Sequence, residues 1–411
     1  MERLLWKVRS PLMAEPSRAV VKFSIEEPLI VAGFLKTASG LGEAARGCLS
    51  ALNLAGLNPI SIDLSETFNQ VDLEYPADLT KLPWHRAGTV ILFANGPEVE
   101  RALFSLGLHR GRGWRVIGAW AWELDVLPAE WLSSVRFLSE IWTPSEFVSK
   151  VFRSHVSIPV STVPHFVSPP VLGAGGSLDL PIESTGRDET AFLVMADGRS
   201  SFGRKNVSGA IGLFRDAFEN RSDVRLRIKT RNLGEYATFQ RTLHELAAAD
   251  SRIEIIDQSL SEKGKWQLLL NSDIVLSPHR SEGFGLHLAE AMSIGRSVVA
   301  TGWSGNTEFM RADNSTLLEY ELKPATDSFN VYNPPEGASW AHVKQRPSIE
   351  VLRDLVDNPE RRRKLEHAAS RFVSEHLNEN NYVKALKEIP NGVGLIHPNQ
   401  IADLILETIS L

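Results

Sequence analysis

The chain has 411 residues, 43% of them hydrophobic and 23% charged. That is the balance of a soluble globular protein rather than of a disordered or fibrous one, and at about 150 residues per domain it allows two domains or three small ones. The 44 Lys and Arg against 50 Asp and Glu leave a net charge of −6, which excludes the basic excess of a general nucleic-acid binder, while the single Cys48 excludes an internal disulfide framework or a Cys-rich zinc site.

Residues 1–24 read as an N-terminal extension. Leu4, Leu5 and Trp6 mix there with Arg3, Lys7 and Arg9, too short an apolar run for a signal peptide. A weak membrane-surface helix is the competing reading. The first domain is placed at 25–172. Its predicted strands are 29–34, 59–64, 90–93 and 115–120, and a helix opens at Gly40-Leu41-Gly42 and runs to about Leu54. Continuous apolar strands separated by helices indicate a parallel sheet covered on both faces. Prolines and glycines crowd 163–186, so 173–187 is assigned as a linker.

Alternation then restarts in a second domain, 188–385. Strands are expected at 191–195, 224–228, 253–256, 273–276 and 297–300, with helices near 206–218, 265–270 and 285–293. The last third reads as helical, ending in a segment at 386–411, and the basic run 361–364 reads as a solvated helix face. Two similar α/β halves imply a cleft at the carboxyl ends of their strands, where ligands bind.

The most informative stretch is 281–292, Ser-Glu-Gly-Phe-Gly-Leu-His-Leu-Ala-Glu-Ala-Met. Gly283 and Gly285 allow a tight turn and close backbone approach to a ligand. The helix starting near Gly285 would present the first-turn amides of Leu286, His287 and Leu288 to a phosphate. Glu282 precedes the helix, and Glu290 lies one turn inside it on the face of Leu286. One carboxylate can thus meet a sugar and the other a ribose, with a diphosphate between. An N-cap acid plus a solvated helix acid is the plainer alternative, and neither position reads as core.

This segment, with Phe284 at its turn, resembles the Glu-x7-Glu motif of the family 4 retaining glycosyltransferases, with His287 where the family has Pro. The resemblance implies an α/β, GT-B fold of two facing Rossmann-like domains with a central cleft and a helical C-terminal region. It also implies transfer of a sugar from a nucleotide-sugar, a UDP- or GDP-sugar, to a carbohydrate or glycolipid acceptor with retention of configuration. Relatives hold the donor diphosphate with an Arg and a Lys six residues apart after the first strand of the second domain. Arg199 and Lys205 have that spacing, and Arg204 competes for either role. The resemblance further implies a metal-independent enzyme with no tightly bound cofactor, placed in the cytoplasm or peripherally at the inner face of a membrane.

Gly40 and Gly42 fit the family's cleft-facing Gly-rich loop. They also match a dinucleotide fingerprint with Asp63 about 20 residues on, which keeps an NAD-dependent oxidoreductase as an alternative beside a sugar-nucleotide epimerase of the same fold. Trp120 and Trp122, with Glu123, end a first-domain strand and are the candidate acceptor wall, although core packing also accounts for such tryptophans. Glu123 stands where many relatives carry His. His165 reads as a packing residue more readily than a catalytic one. The 302–306 turn faces the same cleft, and base contacts are expected around Asp257 and Gln258.

Overall fold

The computed structural model describes residues 23–24, 27–78, 87–107, 113–169 and 189–388. The expected linker, most of the N-terminal extension and nearly all of the expected C-terminal segment lie outside the described residues.

The first domain contains β1 (Leu29–Gly33), α1 (Gly40–Leu54), β2 (Ile60–Asp63), β3 (Gly88–Phe93), α2 (Gly96–Ser105), β4 (Trp114–Ala119), β5 (Glu140–Thr143), α3 (Glu146–Arg153) and β6 (Val160–Thr162). Its six strands pair in the order β2-β1-β3-β4-β5-β6, all parallel. β1, β3 and β4 are buried along their whole length, because one apolar cluster covers each sheet face. Ser39 and Ser145 cap α1 and α3 by accepting the amides of Gly42 and Val148, satisfying donors that a helix start leaves open.

The second domain follows the same rule. It contains β7 (Thr190–Asp197), α4 (Phe202–Lys205), α5 (Val207–Ala217), β8 (Val224–Arg231), α6 (Ala237–Ala249), β9 (Ile253–Asp257), α7 (Glu262–Leu270), β10 (Ile274–Ser277), α8 (Leu286–Ser293), β11 (Ser297–Thr301) and β12 (Thr316–Leu318). The strand order is β12-β11-β10-β7-β8-β9. The order reverses between β10 and β7, so the carboxyl ends of these two strands mark the crevice where an open α/β sheet binds ligands.

The last third departs from the sequence reading. A two-stranded antiparallel hairpin, β13 (Tyr320–Pro324) and β14 (Ser339–Val343), precedes α9 (Gln345–Asp357), α10 (Pro359–His376) and α11 (Asn380–Lys387). The hairpin strands are short, the first is largely exposed and the second buries only Trp340 and Ala341, and their loop holds both Pro and Gly, so they carry little periodic signal. Helix α11 returns to the first domain. Tyr382 and Leu386 pack into its core beside Cys48 and Trp142, and Arg115 donates to the Leu386 carbonyl at 3.0 Å.

Many contacts cross between the domains. Ser145 Oγ donates to the Gly283 carbonyl at 2.7 Å, and the Glu146 amide donates to Glu308 at 2.7 Å. The Ser339 amide donates to Asp125 at 2.8 Å, and Arg231 lies 3.5 Å from Asp72.

Arg115 and Glu140 form a buried ion pair between β4 and β5, with Arg115 Nε donating to Glu140 Oε1 at 2.7 Å. Glu140→Ala leaves that guanidinium unpaired in the core, and stability should fall by about 3–5 kcal/mol. Urea denaturation followed by circular dichroism reads the loss as a lower midpoint at unchanged slope.

Candidate functional site

The candidate site is built at the carboxyl ends of β7 and β10. After β7 the chain turns through Ser201, whose φ of 62° is rare for a residue with a side chain. Asp327 accepts from Ser201 Oγ at 2.7 Å, and Ser201 Oγ in turn accepts the Arg204 amide at 3.2 Å. The short helix α4 is thereby fixed, and Arg204 and Lys205 project from it towards Glu282.

Glu282 is held through its backbone as well as its side chain. Its amide donates to Ser304 Oγ at 2.8 Å, and its carbonyl accepts the Gly305 amide at 2.8 Å. Lys205 Nζ reaches Glu282 Oε1 at 2.5 Å, and Arg204 Nη1 lies 3.2 Å from Glu282 Oε2. Arg204 also donates to the carbonyls of Ser281 at 2.7 Å and Ser200 at 3.1 Å. Burial works against the charge on Glu282, but Lys205 and Arg204 overcome it and hold the carboxyl well below the usual range. A buried carboxylate between two cations is the result, and it stays ionised through the physiological pH range.

Four residues later α8 begins. Gly285 precedes it with φ 91°, a conformation glycine enters without a Cβ penalty, and no side chain caps the helix. The Leu288 amide turns back to the Gly285 carbonyl at 2.9 Å, which corrects the expectation that it is open to a ligand. The free first-turn donors are those of Leu286 and His287. Burial, with Lys205 adding to it, lowers the His287 pKa to about 3, and its Nε2 is buried without a partner. The imidazole is therefore neutral beside the cations.

Glu290 faces inward from α8, and Lys265 of α7 donates to its Oε1 at 2.6 Å. Both Glu282 and Glu290 are only 5% exposed. The sequence reading placed neither in the core, yet the structure buries them both.

Several other candidates stand elsewhere. Arg199 points outward, its side chain 56% exposed and paired with Glu235 at 3.1 Å. Arg204, whose side chain is 2% exposed, stands beside Lys205 in its place. Trp120 is 1% exposed and packs edge to face on Trp131, so it belongs to the core rather than to an open acceptor wall. Trp122 is only partly buried; it contacts Trp131 and, across the cleft, Tyr332. Glu123 lies close to Tyr332 and faces Arg204 and Lys205 from the opposite domain.

The glycines divide. A Cβ on Gly42 would sit 2.4 Å from the Thr37 carbonyl, so this glycine serves internal packing of the loop rather than approach to a ligand. Gly40 has open space around it. Gly283 lies against Trp122, whose carbonyl would be 3.1 Å from an added Cβ, so it serves the domain contact. Phe284 is buried and stacks edgewise on His165, whose pKa burial lowers to about 4; that imidazole is a neutral packing group. Asp63 caps its own loop, accepting from Ser65 Oγ at 2.8 Å and the Lys36 amide at 3.3 Å. It is spent there, which disfavours the oxidoreductase. Thr230 donates to Asp257 at 3.0 Å, and the Gln258 amide donates to the Thr230 carbonyl.

Sequence reasoning placed Ser304 and Asn306 on a cleft-facing turn without their supporting roles, and missed His279 as a support and Lys265 and Tyr332 as neighbours. Of these missed residues only His279 left a trace, as a polar residue next to a recognisable strand end. Among the described residues no group of three His, Cys, Asp or Glu side chains is placed to hold a metal ion, and no helix is long and apolar enough to cross a membrane.

Residues 198–325, which include every element of this site from Arg199 to Asn306, match the sequence model of the family described as glycosyl transferases group 1. No curated protein matches the chain in sequence. Among solved structures, sucrose-phosphate synthase from Thermosynechococcus elongatus is similar with a TM-score of 0.60 at 13% identity, covering 93% of this chain and 100% of that one. A glycosyltransferase from Rickettsia africae gives 0.57 at 14% identity, with 90% and 100% covered. TarM from S. aureus, in complex with UDP and a GlcNAc-glycerol, gives 0.50 at 12% identity over 74% of this chain; the match spans 55% of TarM. At these identities the likeness is one of fold, the GT-B arrangement of two parallel-sheet α/β domains.

His279 is fully buried between Ser277 Oγ and Asn306 Oδ1, each at 3.1 Å, and burial lowers its pKa from 6.5 to about 4. The unfolded chain therefore takes up a proton below pH 6.5 that the folded chain refuses until about pH 4. The stabilising effect is complete above that window and falls away with acid, by about 1.4 kcal/mol per pH unit. His279→Gln should flatten the decline of stability across this window in urea titrations at stepped pH.

Proposed function

We propose that this protein, whose residues 198–325 form a group 1 glycosyl transferase domain, moves a sugar from a nucleotide-sugar donor to a hydroxyl of an acceptor with retention of anomeric configuration. The observation that carries the proposal is the buried Glu282 carboxylate gripped by Lys205 and Arg204 at an uncapped helix start, in a cleft between two α/β domains. A nucleoside diphosphate leaving group gains negative charge as the sugar departs, and two preorganised cations in a dry site stabilise it. The Leu286 and His287 amides add donors at the positive end of α8.

Each residue then has one task. Lys205 and Arg204 hold the diphosphate, with Arg199 at the outer rim. Glu282, kept ionised, faces the positive charge that builds on the sugar ring. Glu290 accepts hydrogen bonds from ribose hydroxyls. Gly40 and the Gly283–Gly285 turn border the donor, and Trp122 and Glu123 border the acceptor. In front-face substitution the bond from the anomeric carbon to the phosphate oxygen breaks as the bond to the acceptor oxygen forms, and the acceptor proton passes to the departing phosphate oxygen. The two side-chain cations supply the charge that the leaving group requires, so the reaction is expected to need no divalent ion and no tightly bound cofactor. The donor is a UDP- or GDP-sugar and the acceptor a carbohydrate or glycolipid, with work at the inner membrane face or in the cytoplasm.

Lys205→Ala should cost about 2–4 kcal/mol of transition-state stabilisation and weaken nucleotide binding, as read from kcat/KM with the active donor and from UDP or GDP titration. Arg204→Ala should do the same and Arg199→Ala far less; equal effects of the two arginines would restore Arg199 to the site.

Glu290→Gln should raise the donor KM with kcat nearly kept, since ribose contacts act in the ground and transition states alike. Glu282→Gln should lower kcat. It also strands two buried cations, so the variant should be less stable and should regain stability when UDP or GDP is added. Unchanged turnover in both variants would remove the two glutamates from catalysis.

A further inference from the structure

We propose that Lys265 is a positioning residue for the nucleotide. It holds Glu290 as a buried carboxylate with one oxygen free for a ribose hydroxyl, and it ties that carboxylate to the first domain through Glu43. The inference rests on the reading of Glu290 as the ribose ligand and adds to it a residue and a link between domains.

Lys265 sits on α7 with its side chain 11% exposed. A lysine ammonium has three donors, and three carboxylates surround this one. They are Glu290 of α8 at 2.6 Å, Glu43 of α1 at 3.2 Å and Glu262 of α7 at 3.3 Å. Glu43 belongs to the first domain, in the opening turn of α1 that starts at Gly40. Burial works against the charge of Lys265, but the three acids outweigh it and raise its pKa.

The carboxylate of Glu290 is used on one side only. Oε1 faces Lys265, while Oε2 is buried and has no hydrogen-bond partner among the described residues. An acceptor left open in a low-dielectric interior is costly. An ionised carboxylate oxygen only accepts hydrogen bonds, so the missing partner is a donor, and a ribose hydroxyl fits. Burial raises the pKa of Glu290 and Lys265 opposes that rise. Lys265 is thus the group that favours the carboxylate form of Glu290 and keeps its open oxygen an acceptor. Because the same ammonium holds Glu43, the ribose site is complete only when the domains are together.

The test compares wild type with Lys265→Met, Lys265→Gln and Lys265→Arg. UDP, GDP and ADP are titrated calorimetrically, then the tightest of them is compared with its 2′-deoxy and 3′-deoxy forms. Wild type should prefer the ribonucleotide by about 10- to 100-fold, the range of a hydrogen bond to a charged group. Lys265→Met and Lys265→Gln should bring that preference to within about threefold, and Lys265→Arg should keep most of it. If the methionine variant does not fold, the glutamine variant carries the test. A folded neutral variant with the full preference overturns the role of Lys265 alone. A wild type that binds the deoxy forms equally well overturns the ribose reading of Glu290 and the inference with it, and a wild type that binds none of the three diphosphates overturns the donor site altogether.

Discussion

The Glu282 carboxylate between Arg204 and Lys205 is the interaction on which the arrangement depends. Two cations brought this close in the interior would repel each other and lose their hydration, and neither cost is tolerable without an anion between them. The protein supplies that anion from the loop after β10 and fixes its backbone with Ser304 and Gly305. The turn after β11 thereby becomes part of the site without touching the charges. Asp327 fixes the other side through Ser201, so three separate loops must be in place before the ion pairs form. Such a cluster stabilises the fold weakly for its charge content, yet it is preorganised for an incoming diphosphate.

Closure of the two domains sets the dielectric around this cluster. Ser145 and Trp122 of the first domain lie against Gly283, and Tyr332 from the hairpin loop reaches Glu123 and stacks over Arg204 at 5.6 Å. Helix α11 locks the end of the described chain back onto the first domain. Glu282 is only 5% exposed, and each charge there acts more strongly than it would at a surface.

Much of the fold was legible because buried parallel strands are continuous apolar runs. The stretches at 29–34, 90–93, 191–195 and 273–276 could be placed within a residue or two for that reason. The Ser281–Met292 segment stood out by its resemblance to the Glu-x7-Glu motif, whereas its spacing alone left an N-cap acid and a solvated helix acid open. What the sequence hid was tertiary. The choice between Arg199 and Arg204 depends on which way a four-residue helix turns, and that is decided by Asp327, 123–128 positions away. Glu282 and Glu290 are buried against partners far off in sequence or on another helix, Arg204, Lys205 and Lys265. Trp120 and Trp122 are two residues apart on one chain, yet one is core and the other borders the cleft, because Trp120 packs against Trp131 and Phe152. The hairpin at 320–343 and its Tyr332 have too little periodicity to be read as strands.

The central claim is that the Arg204–Lys205 pair is a diphosphate site already charged and in position. Calorimetric titration of the wild-type protein in EDTA, comparing UDP, GDP and ADP with UMP, GMP and AMP, tests it most directly. The account predicts that for the preferred base the diphosphate binds at least about tenfold tighter than the monophosphate, as expected when a phosphate group gains charge-assisted hydrogen bonds, and that chelation of divalent ions does not weaken it. Equal affinity for the two phosphates, or diphosphate binding that returns only when a divalent ion is supplied, would contradict it.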